Sequence, residues 1–207
     1  MKKNISFSNI SNIIKINLNF LIIIIFPFIS SFSLNNLNNY YSEITLKLKG
    51  KGIQKIINCQ NTNAPDKVYL NNEKIDFSKD GHYISINIEE EKEENIIMLI
   101  WESNINSLYA TFQKISNITE VDLSKINTQV DNLADLFRKC TSLKKVNLSN
   151  LDTIKVTNMG HMFSQCISLE SIDVSTFDTS NVLYMDNMFL NCISLTSLIY
   201  LILIQRE

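Results

Sequence analysis

The sequence predicts an α/β repeat fold, in which a small β-rich N-terminal segment precedes a right-handed solenoid of short helices and a parallel strand ladder. Core positions recur every 25 or 26 residues, each repeat contains a stripe with helical spacing, and an alternating stretch follows each stripe. The predicted domain organisation is a signal peptide (1–33), a β-rich cap or domain (34–104), about three and a half repeats (105–198) and an irregular apolar tail (199–207).

The composition argues against catalysis and against nucleic-acid binding. The 207 residues include 19 Lys+Arg and 21 Asp+Glu, so no basic excess attracts nucleic acid. The sequence contains only 4 Gly, 2 Pro and 2 His. Phosphate-binding loops need several glycines and histidine-based sites need histidines, so neither is expected. We therefore expect a protein that is not an enzyme, with no catalytic residues, metal ligands or cofactors.

Residues 1–33 have the pattern of a signal peptide. A lysine-bearing stretch without acidic residues precedes an apolar run at 20–32, and small residues favour cleavage before Leu34. The run contains Pro27 and is shorter than the about 20 residues that span a bilayer. Secretion or display at the cell surface is therefore predicted, with membrane contact only through this segment. An uncleaved signal anchor stays open as the alternative.

Residues 43–101 alternate with the period of β-strands. Ile44, Leu46 and Leu48 share one side of their segment, and YISINI and NIIMLIW have the composition of half-buried and buried strands. An Asn-Asn pair at 71–72 indicates a turn between two short apolar runs. These features predict a small antiparallel β unit that caps the repeats.

Residues from Leu108 onward repeat in register. Phe112, Phe137, Phe163 and Phe189 are separated by 25, 26 and 26 residues, and Ile115, Cys140, Cys166 and Cys192 keep the same intervals. The i, i+3, i+4, i+7 spacing within each repeat, as at Met159, Met162, Phe163 and Cys166, predicts a short helix with one apolar stripe. EVDLS, KVNLS and SIDVS then predict one short strand per repeat, with polar positions facing outward.

The segment NLSNLDTIKVTNMGHMFSQCISLESIDVSTFDTSNVLYMDNMFLNCISLTSL resembles the 26-residue repeats of the BspA-like leucine-rich-repeat surface proteins of bacteria and protists. The similarity covers residues 108–198. It implies a leucine-rich-repeat-like solenoid at a cell surface that mediates adhesion or protein binding without catalysis. The first repeat departs from the family pattern, because it is one residue shorter and has Ile115 where cysteine is usual.

Cysteine, histidine and aspartate are each expected to have structural roles. The recurrent cysteines suit small buried core positions, a role that the resemblance also implies. A disulfide between two of them, leaving the third for Cys59, stays open in an oxidising compartment. His82 and His161 are expected to be exposed, because neither has a partner at useful spacing. Asp152 and Asp178 are expected to form turns rather than a calcium site.

The outward polar positions of the three predicted repeat strands form the candidate binding face. They are Glu120, Asp122 and Ser124 in one strand, Lys145, Asn147 and Ser149 in the next, and Ser171, Asp173 and Ser175 in the third. Repeat proteins present extended binding surfaces in this way, although a merely solvated face is an equal alternative. Asn117 and Asn147 also stand in N-glycosylation sequons.

The predicted function is therefore a non-catalytic secreted or cell-surface repeat protein that mediates adhesion or protein binding through its strand face. The partner is expected to be a protein or a surface glycan. A membrane-anchored or intracellular structural scaffold is the alternative. Hydrolysis by Asp122 and Asp173 is not expected, because two strand spacings separate them by about 10 Å. After Leu198 the pattern gives way to IYLILIQRE, which predicts an unfinished last repeat that is truncated or pairs with another molecule.

Overall fold

β-strands and tight turns make up the computed structural model, which describes residues 41–90 and 92–199 as part of one compact unit. The strands are β1 Ser42–Leu48, β2 Gly52–Asn58, β3 Lys67–Leu70, β4 Glu73–Ile75, β5 Ser78–Asp80, β6 Tyr83–Ile88, β7 Asn95–Trp101, β8 Ile118–Lys125, β9 Lys145–Asn147, β10 Ser171–Asp173 and β11 Ser197–Ile199. The predicted signal peptide (1–33), residues 34–40 and the apolar tail after Ile199 lie outside the described residues.

The N-terminal strands form two antiparallel arrangements. β2, β6 and β5 make a three-stranded sheet, while β4, β3, β7 and β1 lie side by side in a six-stranded sheet. Asn71 and Asn72 have φ values of 51° and 73° and form the hairpin turn between β3 and β4, as their sequence predicts. The strands predicted from alternation in residues 43–101 are thus confirmed.

β1 joins these strands directly to the first repeat. It lies between β7 and β8 and runs antiparallel to both, and β8 then pairs in parallel with β9. Ile44, Leu46 and Leu48 are fully buried on one side of β1, within the same apolar core as the repeats. The six-stranded sheet is therefore mixed, and the cap and the repeats share a continuous core.

The predicted right-handed α/β solenoid with short helices is wrong. The described residues contain strands but no helix, and of their three sheets one is mixed, one is antiparallel and one, the pair β10 and β11, is parallel. An α-helix requires negative φ at every residue, yet two residues four positions apart in each repeat adopt positive φ. These pairs are Ala110 and Lys114, Asp135 and Lys139, His161 and Gln165, and Asn187 and Asn191.

A ladder of turns replaces the predicted helices. In residues 133–139, every second N–H donates to a carbonyl in residues 158–164, with N···O distances from 2.8 to 3.0 Å. The intervening N–H groups of Leu136 and Arg138 close short turns within the repeat, donating to the carbonyls of Leu133 at 3.3 Å and Asp135 at 3.0 Å. We call the equivalent residues 108–114, 133–139, 159–165 and 185–191 the turn ladder.

The predicted continuous parallel strand ladder is also wrong. β8 pairs with β9, and β10 pairs with β11, both in parallel. No strand pairing joins β9 to β10 in the described parts of the chain. Neighbouring repeats are therefore held together throughout by the turn ladder, whereas the strand side is interrupted.

Aromatic side chains fill the interior of the turn ladder. Phe112, Phe137, Phe163 and Phe189 stack in sequence, with ring centroids 5.6, 5.4 and 5.5 Å apart. Each such contact contributes about 0.5–1.5 kcal/mol beyond the burial of apolar surface. The interval of 25 or 26 residues places one ring of the stack in each repeat.

No helix within the described ranges is long and apolar enough to cross a membrane.

Candidate binding face

An open groove runs across the outer face of β1, β8, β9 and β10. Its volume is about 470 Å³. It is lined by Thr45, Lys47, Glu120, Val121, Asp122, Lys145, Val146, Asn147, Ser171, Ile172 and Asp173. We call it the strand-face groove. The strands present alternate side chains to this face, so two polar groups from each of the four strands converge here.

The structure brings together six of the nine predicted binding residues. Two come from each repeat strand, and they are Glu120, Asp122, Lys145, Asn147, Ser171 and Asp173. The three predicted serines do not line the groove. Each serine instead donates its backbone N–H to the side-chain Oδ1 two residues earlier, at 2.8 Å for Ser124, 3.2 Å for Ser149 and 2.9 Å for Ser175. Ser149 and Ser175 lie in the turns that follow β9 and β10, whereas Ser124 lies within β8.

The sequence prediction missed the contribution of β1. Thr45 and Lys47 line the groove, and Lys47 Nζ lies 2.9 Å from Glu120 Oε2 and 3.7 Å from Glu94 Oε2. The hydrogen bond and the charge of Glu120 raise the pKa of Lys47. Alternation in β1 indicated that these side chains oppose its buried face. Its pairing with β8 joins residues 70 to 82 positions apart, so no short sequence motif indicates it.

Charges of both signs alternate along the groove. Lys145 is exposed and pairs in register with Glu120 across the two parallel strands. Asp173 carries the next acidic group, and hydrogen bonds from the side chain and backbone of Ser175 hold its pKa below the ordinary value. The groove therefore presents Lys145 of β9 between acidic side chains of β8 and β10. All of these side chains stand on regular strands.

The two predicted glycosylation sites differ in accessibility. Asn117 Nδ2 donates to Gln54 Oε1 at 2.7 Å. Thr119 of the same sequon is buried, and its hydroxyl donates a hydrogen bond to the Lys47 carbonyl. Asn147 is exposed at the groove. Since a glycan attaches at the amide nitrogen, the fold favours Asn147 over Asn117 as an acceptor.

The repeat cysteines lie in the core. Cys140 and Cys166 are fully buried, and Cys192 is half-buried at the last repeat. Burial raises the pKa of all three thiols, and it raises the pKa of Cys59 to about 11. All four cysteines are free in this structure. Their environment suits packing rather than thiolate chemistry.

Two other predictions concerned histidine and aspartate. Asp152 and Asp178 accept hydrogen bonds from the backbone N–H groups of Ile154 and Ser180, so the predicted turns are confirmed. His82 is exposed, but His161 is only partly exposed, and its Nε2 lies 3.3 Å from Asp186 Oδ2. Within residues 41–90 and 92–199, no group of three or more His, Cys, Asp or Glu side chains is arranged to hold a metal ion.

Comparison with known proteins gives one match. Residues 106–202 match a family model described as Mycoplasma protein of unknown function, DUF285. The matched range contains the repeats and leaves out β1 to β7. No curated protein and no solved structure matches the chain. The repeat region is therefore similar to a family whose function is not described.

Proposed function

We propose that this chain is a non-catalytic secreted or cell-surface protein that mediates adhesion or protein binding through the strand-face groove. The observation that carries the proposal is the convergence of charged and polar side chains from four strands in one open groove. Its partner is a protein or a surface glycan, bound without a cofactor.

The groove suits a macromolecular partner because it is extended and ordered before binding. Lys47 is held by Glu120, and Asp122 and Asp173 accept hydrogen bonds from the backbone N–H groups of Ser124 and Ser175. Ordering these groups in advance lowers the entropic cost of binding. Alternating charges favour a partner whose surface charges are opposite in sign at the facing positions, and they disfavour partners that place like charges there.

Export of the chain is part of the same proposal. Its support is the charge and hydropathy pattern of residues 1–33, with cleavage expected before Leu34. N-terminal sequencing of the protein from its native source tests this point. A chain that starts near Leu34 agrees with export, whereas a chain that retains Met1 favours the anchored or intracellular scaffold.

Adhesion of beads coated with the full chain to a cultured cell layer tests the binding function. Reversing one groove charge, Lys145→Glu, is expected to reduce bead retention about tenfold, equivalent to about 1.4 kcal/mol. Lys155→Glu is the matched control, because Lys155 is exposed in the same repeat but does not line the groove. Equal retention of both variants and the parent would contradict the proposal.

A further inference from the structure

A second cavity lies among the N-terminal strands, and its volume is about 450 Å³. Its lining comes from β3, β4, β6 and β7 and from the segments that join them, so both N-terminal sheets contribute to it. We call it the cap cavity. Three amides and three carboxylates line it, and they are Asn71, Asn87, Asn95, Glu73, Glu89 and Glu90. The cap cavity shares no lining residue with the strand-face groove.

Asn95 holds an unsatisfied hydrogen-bond donor in the wall of the cap cavity. The residue is 1% exposed, and its Oδ1 accepts from Asn71 Nδ2 at 3.2 Å. The orientation of both amides is fixed, because the Ile96 N–H donates to Asn71 Oδ1 at 3.0 Å. Asn95 Nδ2 is then left buried, without a hydrogen-bond partner among the described residues. Buried polar groups are nearly always hydrogen-bonded, so this donor calls for an acceptor that enters the cavity.

The charged groups of the lining restrict what that acceptor can be. Glu73, Glu89 and Glu90 are exposed, and none of them forms an ion pair with a described residue. Lys92 also lines the cavity, so three carboxylates stand against one amine, and a ligand with negative charge is repelled. A metal ion does not fit either, because no group of three or more suitable side chains is arranged to hold one in the described part of the chain.

Aliphatic side chains complete the wall. Ile88 is almost fully buried, and Leu70 and Ile75 are partly buried against the core. A fitting ligand must therefore bring an acceptor for Asn95, donors for the carboxylates and some apolar surface. It must also carry no net negative charge.

We propose that the cap cavity binds a neutral sugar residue of a glycan. Each sugar hydroxyl both donates and accepts, so one ring accepts from Asn95 Nδ2 and donates to the carboxylates. The C–H groups of the ring pack against Leu70 and Ile75. A volume of about 450 Å³ lies in the range of small-ligand sites and suits one or two sugar rings.

Other small chemical groups meet only part of these requirements. Ammonium and guanidinium groups carry donors alone, so a basic side chain leaves the Asn95 donor without an acceptor. Phosphates and acidic sugars supply acceptors but place negative charge beside the glutamates. The proposal does not depend on the strand-face groove, so its failure leaves the proposed function intact.

The probes are four neutral disaccharides: lactose, maltose, cellobiose and diacetylchitobiose. Each is titrated into the isotopically labelled full chain and followed by NMR. Saturable shifts of the side-chain amides of Asn71, Asn87 and Asn95 are expected with at least one of them, at a Kd of about 1 mM.

Two variants test which groups bind the sugar. Asn95→Asp removes the Nδ2 donor and keeps an oxygen for Asn71, and it is expected to weaken binding about tenfold or more. Glu73→Ala is expected to weaken binding about threefold or more, and it decides the test if Asn95→Asp does not fold, because Glu73 is exposed. Glu93→Ala is the matched control, since Glu93 is also exposed but does not line the cavity.

Four outcomes would overturn the proposal. The first is no saturable shift with any of the four sugars, which would leave the Asn95 donor to water. The second is equal binding by the parent, Asn95→Asp and Glu73→Ala. The third is binding of a tripeptide with a central lysine but of no sugar, which would assign the cavity to a basic peptide. The fourth is shifts confined to Lys145 and Ser171, which would place the sugar in the strand-face groove.

Discussion

Cys166 donates a hydrogen bond from its thiol to the backbone carbonyl of Phe137 in the preceding repeat, at 3.1 Å. Cys140 and Cys192 make the same contact with Phe112 and Phe163, both at 3.0 Å. The contact explains why a small side chain with a weak donor recurs at this position. It also links the two most regular features of the sequence, the phenylalanine and cysteine positions, through one interaction.

The thiol of Cys166 predicts how stability responds to alkaline pH. Burial raises its pKa above the ordinary value of 9.0, so the folded chain keeps a proton that the unfolded chain loses. The unfolding free energy therefore falls as pH rises above about 9, by up to about 1.4 kcal/mol per pH unit for this thiol. We expect Cys166→Ala to show a smaller fall between about pH 8 and pH 10 in denaturant titrations. Equal falls in parent and variant would contradict this assignment.

The phenylalanine stack predicts a graded loss of stability. Phe137 is fully buried between Phe112 and Phe163, so Phe137→Ala is expected to lower the unfolding free energy by about 3–5 kcal/mol. Phe189 stacks on one side only and is partly exposed. Phe189→Ala is therefore expected to cost about half as much or less. Urea unfolding of both variants measures the difference, and equal losses would show that the rings do not act as a stack.

The left-handed turns predict a position-specific effect of β-branched residues. Gln165 has φ of 64°, a conformation in which valine is strongly disfavoured. Gln165→Val is expected to lower the unfolding free energy by about 1–3 kcal/mol. Gln113→Val is the matched control, because Gln113 is also partly exposed but does not have positive φ. Similar stability of the two variants would argue against the left-handed backbone at Gln165.

The alignment of core positions between repeats was predictable from the sequence, whereas the turns that stand in place of the predicted helices were not. The register of Phe137, Phe163 and Cys166 predicted which side chains share a core position, because stacked repeats must align them. The i, i+3, i+4, i+7 spacing fits a helix, but it also fits successive turns in which every fourth residue is left-handed. Glycine would have marked such turns, yet His161 and Gln165 occupy them and carry no such signal.

The candidate site was predictable only in part. Alternation in the repeat strands identified Glu120, Lys145 and Asp173, which line the strand-face groove. Lys47 was missed because β1 reaches β8 by long-range antiparallel pairing, which no short motif records. Ser124, Ser149 and Ser175 do not line the groove, and the backbone N–H of each donates to the side chain two residues earlier. Local patterns thus predicted the face, and tertiary pairing determined its composition.

Residue-resolved amide hydrogen exchange of the full chain most directly tests the turn ladder, in which N–H groups of one repeat donate to carbonyl groups of the following repeat. The account predicts slow exchange at Met159, His161, Phe163 and Gln165, whose N–H groups donate to the following repeat. It predicts fast exchange at the equivalent Met185, Asn187, Phe189 and Asn191, with slower exchange at Leu190 and Cys192, which close turns within their own repeat. Uniform protection across 185–192, as in a helix, would contradict the account.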